Sequence, residues 1–192
     1  GPLLASIGAV LVLGETITLL GAAGILGVCG GVFLIAGGPR LFRGGDSESH
    51  RKALAGVRWG AMTGALIACY TVIDGYAVKV LLIGPVLVDY VGNLLRVPLL
   101  ALPVLRDRIG FSAAMRAQWK YALVVGALGP LAYILVLYAV TMAPLSHVAP
   151  AREVSMLFAA LIGGRLLGEG DRALRLVGAA FIAAGVIALA TA

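Results

Sequence analysis

Charged side chains are scarce in this sequence, and their scarcity excludes a water-soluble domain. Asp, Glu, Lys and Arg make up 12% of the 192 residues, whereas a soluble domain carries about 25%. Hydrophobic residues make up 61%, and the mean hydropathy is +1.04. Several uncharged runs reach the ~20 residues that a helix needs to cross a bilayer, and they are continuous rather than alternating. The sequence therefore predicts an all-α polytopic membrane protein.

Cysteines are few, and the motifs of common catalytic sites are missing. The two cysteines, Cys29 and Cys69, each lie inside an apolar run, which favours packing over a disulfide or a metal pair. No zinc-ligand spacing, phosphate-binding loop or nucleophile elbow is present, so we predict no enzyme, no catalytic residue, no metal and no cofactor. The net charge is +6, but no basic stripe with interleaved aromatic residues accompanies it. This argues against a nucleic-acid partner.

What the sequence does contain is a repeat at an offset of 154 positions. At this offset Leu13-Gly14-Glu15 aligns with Leu167-Gly168-Glu169, and a glycine-rich run follows each copy without a gap. Self-similarity at a fixed offset decides the architecture. We expect the chain to hold the end of a first repeat and the whole of a second, with roughly 100 residues of the first repeat lying upstream.

Seven membrane spans are predicted from the apolar runs, although the first is too short to cross a bilayer by itself. Two belong to residues 1–37, the end of the first repeat, and five belong to residues 58–192, the complete second repeat. A charged linker at 38–57 separates them. We expect prolines inside the fourth span to kink or end it, and a Gly-Pro pair to break the fifth. The predicted spans are 1–14, 19–37, 58–80, 85–105, 119–141, 145–167 and 173–190.

Lys and Arg are distributed unevenly between the predicted loops. Counted together with the residues at the adjoining span ends, alternate loops carry 12 on one side and 1 on the other, and the positive-inside rule assigns the richer side to the cytoplasm. A repeat of five spans crosses the membrane an odd number of times, so equivalent points of the two repeats lie on opposite membrane faces. Inverted repeats of this kind are a common plan of secondary transporters.

Three stretches are similar to a known family of membrane proteins. The doubled Leu-Gly-Glu with its glycine-rich span, the stretch Ala143–Glu169 and the stretch Tyr70–Gly75 resemble the EamA-type family of the drug/metabolite transporter superfamily. The resemblance implies ten helices in two inverted five-helix repeats around a central cavity, with helices four to ten in this chain. It also implies basic loops outside the cell, opposite to the orientation that the charge count favours. We expect a multi-pass protein of the cell membrane, in a bacterial plasma membrane.

Polar side chains inside the predicted spans are the candidates for function. An ionisable group at mid-membrane costs at least ~2.5–3.5 kcal/mol unless a partner or a watery cavity receives it. Asp89, Asn93 and Arg96 follow each other at i, i+4 and i+7, which places them on one helical face. Tyr70 and Asp74 are likewise four residues apart. The predicted substrate-binding residues are Tyr70, Asp74, Asn93, Arg96, Tyr133, Arg152 and Glu153.

Each candidate also has a purely structural interpretation, because interhelical ion pairs can lock a bundle without touching a substrate. Asp89 is predicted in the first turn of its helix, where a carboxylate interacts favourably with the helix dipole. Arg152 and Glu153 are neighbours on a predicted helix, so their side chains point about 100° apart and at least one must face another helix or a cavity. Glu15 and Glu169 stand at helix ends, which favours a structural hinge role over substrate contact.

These features predict a secondary transporter, working as an exporter, of a small organic metabolite. A site with both arginines and carboxylates would suit a zwitterion such as an amino acid. A titrating carboxylate could couple transport to protons, and a homodimer is one alternative for the assembly. A nucleotide sugar or a lipid-linked molecule is the alternative cargo, although either would call for more phosphate-directed Lys or Arg. A membrane-embedded enzyme would need a nucleophile–base set, and a channel would need a regular polar stripe.

Overall fold

The computed structural model describes residues 1–36, 47–158 and 172–192 as α-helices joined by short connections. No strand occurs within these ranges, so the predicted all-α fold class is confirmed for them. Residues 154–158 form a further short helical stretch. The helices are α1 (Pro2–Leu13), α2 (Leu19–Ile35), α3 (Ser47–Lys79), α4 (Pro85–Arg106), α5 (Arg108–Met142), α6 (Leu145–Ala151) and α7 (Arg172–Ala190).

Three of these helices are long and apolar enough to cross a membrane. They are the Ala55–Lys79 part of α3, the whole of α4 and the whole of α5. The helices α1, α2 and the Leu174–Ala190 part of α7 are apolar but shorter. Large apolar side chains of α4 point outward, with Leu99 74% exposed, as expected of a surface that faces lipid. The protein is therefore an α-helical membrane protein.

Two helices begin earlier than the sequence predicted. The helix α3 begins at Ser47 rather than Arg58, and α5 begins at Arg108 rather than Trp119. The predicted linker is thus helical from Ser47 onward, and residues 37–46 lie outside the described part of the chain. The physical reason is that charged residues end a membrane span without ending a helix, because Lys, Arg and Glu are good helix formers in water.

The prolines inside the fourth and fifth spans do not end these helices. The helix α4 continues through Pro98 and Pro103 to Arg106, and α5 continues through Gly129-Pro130 to Met142. The predicted break in the fifth span is therefore wrong, and so is an end of the fourth span at either proline. A proline removes one backbone hydrogen bond, and membrane helices tolerate this because nearby groups can satisfy the carbonyl that is freed.

The sixth predicted span is interrupted near its start. The helix α6 ends at Ala151, Arg152 and Glu153 form a turn, and the chain is helical again from residue 154. The backbone N–H of Glu153 donates to the carbonyl oxygen of Pro150, three residues back, at 3.0 Å, which is the tighter pattern of a 3₁₀ turn. The prediction of one helix over 145–167 is wrong at this point, and residues 159–167 lie outside the described ranges.

A hydroxyl of α1 compensates for the hydrogen bond that a proline removes from α6. Pro150 has no N–H, so the carbonyl of Ser146 lacks its helical donor. The Ser6 Oγ lies 3.2 Å from that carbonyl oxygen and 3.1 Å from the carbonyl oxygen of Pro2, four residues before it. Ser6 and Ser146 are both fully buried. The Ser6 hydroxyl therefore ties α1 to α6 at a point where α6 cannot satisfy its own backbone.

Replacing Ser6 by alanine is expected to lower the free energy of unfolding by about 1–2 kcal/mol, because a buried carbonyl loses its donor. Ser146→Ala is the matched control. The buried Ser146 hydroxyl has no hydrogen-bond partner among the residues described, so its removal should be neutral or slightly stabilising. Denaturant unfolding in detergent micelles measures both. Equal losses in the two variants would contradict this role of Ser6.

The Leu-Gly-Glu motif ends α1 and holds the start of α6. Gly14 has φ 66°, the left-handed conformation that glycine adopts readily at a helix C-terminus. Glu15 follows, and its Oε1 and Oε2 accept hydrogen bonds from the backbone N–H groups of Leu145 at 2.7 Å and Ser146 at 2.9 Å. A helix start has N–H groups without an internal acceptor, and Pro144 before α6 makes no side-chain cap. Glu15 therefore has a structural role, while Glu169 lies outside the described residues.

The two glycine-rich helices, α2 and α7, pack against each other backbone to backbone. A Cβ atom placed on Gly31 would lie 2.5 Å from the carbonyl oxygen of Gly178, and one placed on Gly185 would lie 2.7 Å from that of Gly24. The helices are antiparallel, because Gly24 lies opposite Gly185 and Gly31 lies opposite Gly178. At the offset of 154, Gly24 corresponds to Gly178 and Gly31 to Gly185. The contact is therefore reciprocal, as between partners related by a two-fold axis.

By its contacts the chain divides into two compact units. The first comprises Gly1–Ile73 and Ala143–Ala192, and the second comprises Asp74–Met142. In the first unit, Cys29 packs against a buried cluster of Ile25, Val28 and Leu189 from α2 and α7. A second cluster forms where α1, α3 and α6 meet, and consists of Ala5, Ala68 and Ala149. Cys69 is exposed, so the prediction that both cysteines serve packing is wrong for that residue.

Candidate functional site

In the second unit the structure joins two predicted site residues that are distant in the sequence. The Tyr133 hydroxyl on α5 donates a hydrogen bond to Asp74 Oδ2 on α3, at 2.5 Å. Both side chains are half-buried. A hydroxyl bound to a carboxylate at this distance is a charge-assisted hydrogen bond, roughly twice as strong as one between neutral groups. The hydrogen bond from Tyr133 therefore lowers the cost of placing the Asp74 carboxylate inside a membrane span.

A second polar group runs along α4. The Nδ2 of Asn93 donates to Asp89 Oδ2 at 2.9 Å, and the Nη1 of Arg96 donates to Asn93 Oδ1 at 3.1 Å. The placement of these three residues on one helical face is confirmed. Asp89 is 8% exposed, whereas Arg96 is exposed. The group thus extends from a buried carboxylate to an accessible guanidinium, with the Asn93 amide linking the two.

The position of Asp89 differs in one respect from the prediction. The helix α4 begins at Pro85, and its first turn contains no acidic residue. Asp89 is the fifth residue of the helix, and the influence of the helix dipole falls off within the first turn. The proposed dipole role of Asp89 is therefore wrong, and the hydrogen bond from Asn93 is the interaction that the structure gives its carboxylate.

Arg152 and Glu153 lie in the interruption after α6, in the first unit. Both are half-buried. The estimate that their side chains point about 100° apart assumed a continuous helix and does not apply to a turn. The Arg152 carbonyl oxygen accepts from the Ser155 backbone N–H at 3.2 Å and from the Ser155 hydroxyl at 3.0 Å, so this backbone group stays hydrogen-bonded within the interruption. Irregular backbone at membrane depth is tolerated where protein buries it or where it lines a cavity.

The predicted site residues do not all fall in one unit. Asp74, Asn93, Arg96 and Tyr133 belong to the second unit, while Tyr70 belongs to the first with Arg152 and Glu153. Tyr70 is half-buried and lies one turn before Asp74 on α3. Its neighbour Thr71 is 6% exposed, and the Thr71 hydroxyl has no hydrogen-bond partner in the part of the chain that is described.

Sequence reasoning selected Asp74 and Tyr133 separately but did not find their pairing. The two residues are 59 positions apart, and no periodicity links residues on different helices. The only available signal was that a carboxylate inside a membrane span needs a donor from another helix.

Within residues 1–36, 47–158 and 172–192, no three His, Cys, Asp or Glu side chains form a group that could hold a metal ion. Comparison of the chain with protein-family models, with curated proteins and with solved structures finds no match.

Proposed function

We propose that this chain is part of a secondary transporter for a small organic metabolite with both charge signs, such as an amino acid. In this proposal the protein is a bacterial plasma-membrane exporter built on two inverted five-helix repeats, as the resemblance to EamA-type transporters implies. Residues 1–37 end the first repeat and residues 58–192 form the second. The candidate cargo contacts are, in the second unit, the polar groups on α3, α4 and α5 and, in the first unit, Tyr70 and the turn that follows α6.

The interruption of α6 carries the proposal most directly. Discontinuous membrane helices are typical of the substrate and ion sites of secondary transporters, because unwound backbone exposes polar groups to cargo. The turn at Arg152 lies seven residues after Leu145, which is about 10 Å along a helix. A charged pair at that depth in a span is costly, and a site that receives cargo is one reason to keep it.

The packing of α2 against α7 supports the inverted repeat. The closest contacts at Gly31 and Gly185 are counterparts of each other at the offset of 154 residues. The Cβ position of Gly31 lies 2.9 Å from the Ile182 backbone nitrogen, and that of Gly185 lies 2.8 Å from the Val28 backbone nitrogen. Val28 and Ile182 are themselves equivalent at this offset. Two antiparallel copies that contact each other in the same way are what a pseudo-two-fold axis in the membrane plane produces.

Transport by the full-length protein in liposomes tests this function. We expect liposomes loaded with a mixture of amino acids to take up at least one labelled amino acid by counterflow. In Asp74→Asn and Arg152→Gln the counterflow rate should fall about tenfold, because each loses a charge-assisted interaction of the order of 1.4 kcal/mol or more. Parallel measurements with and without a pH gradient examine proton coupling.

The aromatic residues of α5 provide a matched control. Tyr133→Phe removes the hydroxyl that binds Asp74 and should lower counterflow several-fold. Tyr138→Phe makes the same chemical change five residues later, at a 47% exposed side chain, and should leave counterflow within twofold of the parent. Counterflow of a nucleotide sugar without that of any amino acid would overturn the assigned cargo, and no exchange of any solute above empty liposomes would overturn transport itself.

A further inference from the structure

The first third of α5 carries a basic row of side chains beside an apolar row with two aromatic rings, a pattern that the reading of the sequence missed. Arg108, Ser112, Arg116 and Lys120 are each four residues apart and form a basic row, which we call the basic ridge. The Nη2 of Arg116 donates to the Ser112 hydroxyl at 3.0 Å. The Lys120 Nζ lies 5.9 Å from the centre of the Trp119 ring, within range of a cation–π interaction.

Next to the basic ridge is an apolar row at the same spacing. It consists of Phe111, Met115 and Trp119, which are 43%, 42% and 52% exposed. A shallow groove of about 460 Å³, largely open to its surroundings, lies between the two rows on the surface of α5, and its lining residues are Phe111, Ser112, Met115, Arg116 and Trp119. One wall of this groove is therefore apolar, and the other carries a guanidinium.

The length of α5 indicates where this groove lies in a membrane. The helix has 35 residues, about 52 Å at 1.5 Å per residue, whereas the hydrocarbon core is ~30 Å thick. A span of ~20–24 residues counted back from Met142 begins close to Trp119, and tryptophan is enriched at the membrane interface. Side chains lean toward the helix N-terminus, so Lys120 extends toward the headgroups.

Charge around the groove is strongly of one sign. Four cations, Arg106, Arg108, Arg116 and Lys120, lie within fifteen residues of one another, and the acidic residue among them, Asp107, accepts a hydrogen bond from the Gly110 backbone N–H at 2.9 Å. Asp107 is thereby engaged as the cap of α5. Clusters of four or more cations directly beside a membrane helix favour anionic lipids.

We propose that this groove binds the headgroup of an anionic phospholipid, with the phosphate between Arg116 and Lys120 and the acyl chains running past Trp119 toward the membrane-spanning part of α5. Arg116 and Lys120 are one turn apart, about 6 Å along the helix axis, which suits a single phosphate group. Arg108 is two turns from Arg116 and lies outside the reach of that headgroup. The inference concerns lipid partners only and does not depend on the proposed cargo.

Quenching of Trp119 fluorescence by brominated lipid tests the proposal in the full-length protein, with every other tryptophan replaced by phenylalanine. Bilayers of phosphatidylcholine contain a minor fraction of either brominated phosphatidylglycerol or brominated phosphatidylcholine, at 150 mM salt. Each cation near an anionic surface favours binding roughly fivefold. We therefore expect phosphatidylglycerol to be enriched at Trp119 roughly fivefold or more over phosphatidylcholine.

Paired substitutions separate the groove from a general surface attraction. The enrichment should fall to about one in Arg116→Gln/Lys120→Gln and change less than twofold in Arg108→Gln, which removes a charge from the same ridge outside the groove. Equal quenching by both brominated lipids in the parent protein would overturn the proposal. Enrichment that persists in the double variant, or that disappears in Arg108→Gln alone, would overturn the assignment to this groove.

Discussion

Replacing Gly31 by alanine is expected to lower the free energy of unfolding by about 3 kcal/mol, within the range for overpacked cores. The new Cβ would lie 2.5 Å from the Gly178 carbonyl oxygen and 2.9 Å from the Ile182 backbone nitrogen. Both are backbone atoms of α7, so no side chain can rotate away and the two helices must separate. Denaturant unfolding in micelles, followed by circular dichroism, measures the loss.

Gly30 provides the control for this prediction at the adjacent position. A Cβ on Gly30 meets only a ring carbon of Phe181, at 4.0 Å, so Gly30→Ala has room. Alanine is favoured over glycine in a helix interior by roughly 0.5–1 kcal/mol, and Gly30→Ala should be neutral or slightly stabilising. If both alanines cost the same, close packing is not the cause.

The same measurement examines the proposed repeat. Gly185 is the counterpart of Gly31 at the offset of 154, and its Cβ position meets equivalent atoms, the Gly24 carbonyl oxygen at 2.7 Å and the Val28 backbone nitrogen at 2.8 Å. Gly185→Ala should therefore destabilise the protein as much as Gly31→Ala, to within about 1 kcal/mol. A neutral Gly185→Ala beside a severe Gly31→Ala would contradict the reciprocal packing.

Helix positions were predictable from the sequence where composition and local geometry agree. The start of α4 at Pro85 and that of α2 at Leu19 match the predicted spans, because proline suits a first turn and Thr18 caps α2 by accepting from the Gly21 N–H. The starts of α3 and α5 were missed, because hydropathy indicates which residues can lie in the hydrocarbon core and does not indicate where the helix itself begins. The interruption after Pro150 was missed because the sequence was divided into spans by hydropathy, and hydropathy does not change where one backbone hydrogen bond is lost.

The candidate site was predictable only within single helices. The spacing of Asp89, Asn93 and Arg96 defines their mutual geometry, because all three share one helix and its period. The hydrogen bond from Tyr133 to Asp74 joins residues of two different helices within the second unit, and no pattern within either helix encodes it. The place of Glu15 at a helix end predicted a structural role for it, but its acceptance of two N–H groups from α6, 130 residues away, required the structure.

Glu15→Ala is expected to have an effect at least as large as Gly31→Ala, about 3–4 kcal/mol in the free energy of unfolding. Each backbone N–H that donates to the carboxylate loses a charge-assisted hydrogen bond, and a hydrogen bond to a charged group contributes about 1.5–3 kcal/mol. Leu145 and Ser146 are 1% and 0% exposed, so water cannot readily replace Glu15. The helix α6 has only seven residues, and a helix this short is marginal without outside support.

Two further variants show whether the effect comes from linking α1 to α6. Glu15→Gln keeps one acceptor but loses the charge and the second acceptor, and should cost about half as much as Glu15→Ala. Thr18→Ala removes a cap within a single helix, at an exposed residue whose hydroxyl accepts from the Gly21 N–H, and should cost about 1 kcal/mol. If Glu15→Ala were no worse than Thr18→Ala, Glu15 would not hold the start of α6.

Because α6 leads directly into Arg152 and Glu153, loosening its start should also lower the proposed transport. Glu15→Gln should be intermediate in both the free energy of unfolding and the transport rate.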